Sequence, residues 1–137
     1  MTRTLFFNLL FVLLMTACGK SNRAAYEYPK TLSSGYELLQ QQTIPPTAAP
    51  ETIRALAIQN VWKAQYKSAT GSATVTVYET AANAVAFEAL QKWRHAKGQV
   101  TFHQGIDFVV IDSPDLNLQQ LEVLSNAIGM SLQGRGK

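Results

Sequence analysis

The sequence predicts a small α+β domain, a two-layer sandwich in the order β-β-α-β-β-α. A four-stranded antiparallel sheet carries both helices on one face. Three stretches predict this. Ser72–Thr80 (SATVTVYET) sets Ala73, Val75 and Val77 against Thr74 and Thr76, the alternation of a strand. Ala82–Ala96 instead repeats Ala82, Ala86, Ala89, Leu90 and Trp93 at helical spacing, with Val85 and Phe87 beside them. Ile106–Ile111 is apolar on both faces near its end, which suits a central strand.

Along the chain, Arg3 gives a short positive start. Leu5–Met15 (LFFNLLFVLLM) is apolar except for Asn8, and the small Thr16 and Ala17 precede Cys18. This is the layout of a secretory signal. It is too short for a comfortable membrane span, which takes about 20 apolar residues. Met15-Thr16-Ala17-Cys18 resembles the lipobox of bacterial lipoproteins, with Met where Leu is usual. The resemblance implies that residues 1–17 are removed and that Cys18 becomes an N-terminus carrying three acyl chains, palmitate among the usual ones. One chain binds a membrane only marginally, whereas several hold firmly. Cys18 is the single cysteine, so no internal disulfide competes for it. Gly19, in place of Asp, is similar to the pattern of lipoproteins sent to the outer membrane, where the domain faces the periplasm.

Residues 18–50 read as the anchor and a flexible tether. They hold GKSN, SSG, a QQQ run and Ile44-Pro45-Pro46-Thr47-Ala48-Ala49-Pro50, whose prolines favour extended chain. Tyr36–Leu39 has the apolar weight for a short helix. The folded unit is expected over residues 51–133. Val61–Lys67 and Ser72–Thr80 form a hairpin around Ser68–Gly71. The helix over 82–96 ends at Gly98, suited to a left-handed cap. A second hairpin pairs Gln99–His103 with Ile106–Asp112. Ser113-Pro114-Asp115 then opens a helix, with Ser113 as its cap, and Leu121, Leu124 and Ile128 form its buried stripe. Residues 134–137 are expected to fray.

Composition narrows the function. The net charge of +3 includes Arg3, and charged residues make up only 15% of the chain. There is no basic run, so nucleic-acid binding has no support. Lys20, Arg23 and Lys30 lie close to the anchor, within reach of lipid headgroups.

The segments VWKAQY (61–66), VTVYE (75–79), AFEA with QKW (86–93) and FVV (108–110) together resemble a bacterial domain family of unknown function found in small envelope proteins. The likeness covers roughly residues 51–132 and implies no catalytic residues.

The residues themselves point the same way. A zinc site needs three or four ligands, and His95 and His103 stand in no ligand spacing. Asp107 and His103 flank one turn, as a cross-strand polar pair would. There is no GxSxG and no phosphate-binding glycine loop. No catalytic residue, metal or cofactor is therefore expected. Trp62, Tyr66 and Tyr78 are the candidate binding surface, provided they lie on an open sheet face. The expectation is a membrane-anchored, non-enzymatic module for an envelope protein partner. The alternative is a small-ligand sensor or enzyme accessory with a pocket between sheet and helices, holding His103 and Asp107.

Overall fold

The computed structural model describes residues 23–137. The expected signal at 1–17 and the lipidation site Cys18 lie outside the described residues. The chain folds as an α+β unit around one open antiparallel sheet of five strands: β1 (Glu37–Ile44), β2 (Asn60–Ser68), β3 (Gly71–Glu79), β4 (Gln99–Gln104) and β5 (Asp107–Asp112). Their spatial order is β1-β2-β3-β5-β4. Both expected hairpins are present, β2 with β3 and β4 with β5. The second hairpin docks through β5, which pairs with β3 from Thr74↔Asp112 to Glu79↔Asp107. That placement follows from the apolar run, since β5 is buried along almost its whole length while β4 is half-buried.

Three helices accompany the sheet: α1 (Glu51–Arg54), α2 (Asn83–Lys92) and α3 (Leu118–Ser131). The expectation of both main helices on one face is overturned. Ala86 and Ala89 of α2 pack with Val61, Tyr78, Phe108 and Val110. Leu121, Leu124 and Ile128 of α3 pack with Trp62, Tyr66, Val75, Val77, Val109 and Ile111. Residues that alternate along a strand point to opposite faces, so these two sets are the two faces of the sheet. β5 is apolar on both, with Phe108 and Val110 on one side and Val109 and Ile111 on the other, and Val61 and Tyr78 extend the α2 side, so one helix alone would leave apolar surface wet.

The larger correction concerns the tether. Far from being a leash, the described part of 18–50 is integral to the fold. Tyr26, Tyr28, Leu32 and Tyr36 are buried beside α3 on Trp62, Tyr66 and Val75. The Tyr66 hydroxyl donates to the Pro29 carbonyl at 2.7 Å, and the Tyr28 hydroxyl lies 2.8 Å and 2.9 Å from the carbonyls of Trp62 and Val75. The segment expected as a short helix is β1, the fifth strand, paired with β2 from Glu37↔Lys67 to Ile44↔Val61. A register shift between Leu38 and Gln40 leaves Leu39 outside the ladder and exposed. The proline-rich stretch makes a 3₁₀ turn at Pro46–Ala48 and then α1. It delivers Ala49 and Ile53 to the α2 face, and Arg54 ties it together by donating twice to the Ala49 carbonyl.

Two helix boundaries also differ. α2 stops at Lys92, because Trp93 turns to extended geometry and sets its ring near Tyr78 and Phe108. Its indole N–H donates to the Gln99 side chain. Gly98, with φ +80°, therefore serves the turn into β4 rather than a helix cap. α3 begins at Leu118 behind a capping box of Asn117 and Gln120. Ser113 instead accepts from the Asp115 and Leu116 N–H groups and donates to the Ser72 carbonyl, which pins the loop to β3.

Burying an aromatic or leucine side chain contributes about 1.5–3 kcal/mol. The four buried residues at 26–36 therefore contribute an amount comparable to a whole domain's net stability of about 5–15 kcal/mol. A chain starting at Glu51 should lose cooperative urea unfolding and near-ultraviolet circular dichroism. A truncated chain that unfolds as sharply as the full one would show that these contacts are dispensable.

Candidate functional site

The buried charges among the described residues lie at one end of the sheet, where β3 ends and β5 begins. Glu79 and Asp107 are register partners there, and both are wholly buried. Their neighbours in the two strands are apolar, so the carboxylates enter the interior with the strands that carry them. Isolated charges in that position are costly unless paired. The partner is Arg135. Its Nη2 donates to Glu79 Oε2 at 2.7 Å and its Nε to Asp107 Oδ2 at 2.9 Å. The guanidinium carbon sits 5.2 Å from the Tyr26 ring centre and 5.0 Å from that of Trp62, within cation–π reach of both. Asn60 donates to the second oxygen of Glu79 at 2.9 Å. Asp107 Oδ1 has no hydrogen-bond partner in the structure.

This overturns the expected frayed tail at 134–137. Gly136 packs so closely on Ile106 that a Cβ there would fall 2.8 Å from Ile106 Cγ2. The tail thus closes over the β4–β5 turn, and Arg135 ties it to two strands. Tyr26 joins the same closure: its hydroxyl donates to Ser131 Oγ at 2.6 Å, and that hydroxyl in turn donates to the Ile128 carbonyl at 2.6 Å.

Burial raises the Asp107 pKa from its ordinary 3.8, and the nearby Glu79 charge adds to the rise. The hydrogen bond and charge of Arg135 and the charge of Arg23 oppose it without cancelling it. Burial likewise raises Tyr26, Tyr28 and Tyr66, and carries Tyr78 up to about 12.

Trp62, Tyr66 and Tyr78 do not form a binding surface. All three are buried, Tyr66 completely. Tyr66 lies on the α3 face, whereas Tyr78 stacks on Phe108 on the α2 face, with ring centres 5.8 Å apart. The two tyrosines are therefore not cross-strand partners. His103 and Asp107 also part company. His103 pairs with Phe108 and meets the ring of Phe87 on the α2 side, while Asp107 turns to the α3 side. His95 contacts the Thr101 hydroxyl at the surface. Among the described residues there is no group of three His, Cys, Asp or Glu placed to hold a metal, and no helix long and apolar enough to cross a membrane.

Comparison with protein families, curated proteins and solved structures finds no match.

A cleft of about 350 Å³ opens beside the clamp, lined by Arg23, Asn83, Gly105, Arg135 and Lys137 among others. A smaller hollow of about 130 Å³ lies over Val61, Thr76 and Tyr78 beneath Ala48 and Ala49, below the usual size of a metabolite site. Neither contains His103 or Asp107. The sequence reading missed Arg135, Glu79, Tyr26 and Tyr28. Two signals bore on them: a carboxylate at the inner end of each central strand, and the period-two pattern of Tyr26-Glu27-Tyr28.

Between the raised Asp107 pKa and 3.8, the folded protein holds a proton that the unfolded chain has released. Stability from this group therefore grows as pH falls through that window, and is level above and below it. Urea midpoints measured from about pH 7 down to about pH 4 should show Asp107→Asn gaining less on acidification than the parent protein. Parallel profiles would mean that Asp107 titrates normally.

Proposed function

We propose that this chain is an envelope lipoprotein, held through acylated Cys18 at the periplasmic face of the outer membrane, whose domain docks an envelope protein rather than catalysing a reaction. The anchor reading is supported by the apolar leader, the Met15-Thr16-Ala17-Cys18 sequence and the lack of any other cysteine. The buried part of the domain begins at Tyr26, eight residues after Cys18, so the domain sits close to its attachment point rather than at the end of a long leash.

The observation behind protein docking is the β4 edge. Helices and the N-terminal segment cover the apolar parts of both sheet faces, and the stretch of the α2 side left open on β2 carries the polar Lys63, Gln65 and Lys67, so the edges are the better place for recognition. Lys30 and Thr31 of the same chain already meet the start of β1. β4 is the opposite edge of the sheet, and its sequence QVTFHQ contains no Lys, Asp, Glu or Pro of the kind that discourages strand pairing. Phe87, 47% exposed, stands beside it against His103. An uncharged edge with an adjacent aromatic suits addition of an extended partner strand, in which backbone hydrogen bonds give affinity and side-chain contacts give selectivity.

Two experiments address the two parts of this reading. Cys18→Ala should abolish processing and leave an unacylated precursor. A processed, membrane-fractionating Cys18→Ala protein would refute the anchor. Separately, a photo-crosslinking residue at Thr101 should capture a discrete envelope protein in intact cells, identifiable by mass spectrometry, whereas one at Gln41 on β1 should not. Equal capture from both positions, or none from Thr101, would rule out docking at β4.

A further inference from the structure

The cleft beside Arg135 has a position that follows from covalent length. Arg23 lines it and stands five residues after Cys18. Five residues span at most roughly 18 Å even when fully extended. If Cys18 is embedded by its acyl chains, as proposed above, this end of the sheet is held against the bilayer surface. The opposite end has no such constraint.

The chemistry of that end fits a phosphate-bearing surface. Arg23 and Lys137 line the cleft, and Ala82 and Asn83 bring in the start of α2. That helix end has no side-chain cap and no acidic residue in its first turn, so the positive end of its dipole lies at the cleft unopposed by a helix carboxylate. Arg135 is engaged by Glu79 and Asp107, and Arg23 also donates to the Thr80 carbonyl at 3.5 Å. The charge of Arg23 also acts on Asp107, so an incoming anion meets the excess of Arg23, Arg135 and Lys137 over the two carboxylates, together with the end of α2.

We propose that this end of the domain is a membrane-docking surface, with the cleft receiving the phosphate of an anionic phospholipid headgroup between Arg23 and Lys137. The inference rests on the anchor reading. It adds a fixed orientation: α2 points its N-terminus at the bilayer, and the β2–β3 turn lies at the far end of the sheet.

The test uses the full acylated protein in vesicles of phosphatidylcholine alone and in vesicles containing one quarter phosphatidylglycerol. Hydrogen exchange is followed by mass spectrometry over residues 80–86, 103–107 and 132–137. Phosphatidylglycerol should slow exchange there by about five-fold, the factor that one cation supplies at an anionic surface. Asn83→Asp and Lys137→Glu should each remove that slowing. Both positions are exposed, and an Asp in the first turn favours the helix itself, so loss of fold does not explain such a result. Equal exchange in the two lipids overturns the proposal. So does equal protection by inorganic phosphate in phosphatidylcholine vesicles, which would mark a small-anion site instead. The mass of the Cys18 peptide separates the two claims. An unacylated Cys18 defeats both, whereas acylated protein with lipid-independent exchange defeats this one alone.

Discussion

Two carboxylates without solvent contact sit at the end of the central strands, and one guanidinium from the C-terminal tail makes their burial tolerable. Glu79 and Asp107 hold strand-register positions opposite each other, so neither can retreat to water without unzipping β3 from β5. Arg135 reaches both and lies against Tyr26 and Trp62. Through this one side chain the last residues of the chain meet the first described ones. The Tyr26–Tyr36 segment in turn covers the sheet face beside α3 that would otherwise be wet. Removing one partner of a buried ion pair typically costs about 3–5 kcal/mol, because it leaves the other charge uncompensated. The clamp is therefore a point of fragility as well as a fastening.

The fold was partly legible in the sequence, and the reasons are specific. β2, β3 and β5 carry alternating or continuous apolar residues, and each emerged with its hairpin partner. α2 and α3 carry apolar stripes at helical spacing. What misled was composition. Gln40-Gln41-Gln42 and the prolines at 45, 46 and 50 read as linker, yet β1 is an edge strand with one flank in water and needs few apolar residues. The prolines lie beyond its end, where a missing backbone donor does no harm. The placement of helices on both faces was implicit in the two-sided apolarity of β5.

The candidate site was less legible. Trp62, Tyr66 and Tyr78 drew attention as aromatics on strands, but α3 and the N-terminal segment close the face that holds Trp62 and Tyr66, and α2 with Trp93 closes over Tyr78. Arg135 lies among glycines in a polar tail, a setting that by local rules alone predicts fraying. Its role becomes visible only once Glu79 and Asp107 are known to be buried side by side. The described residues form a domain that includes its own N-terminal segment and offers one uncharged edge, β4, and a cleft beside Arg135.

A double-mutant cycle between Glu79 and Arg135 tests the central claim most directly. Urea unfolding of Glu79→Gln, Arg135→Met and the combined variant gives their interaction energy. The clamp predicts a coupling of about 2 kcal/mol, within the range for contacting residues of one network. A coupling below about 0.5 kcal/mol, the level seen for independent sites, would show that the tail is not fastened to the carboxylates.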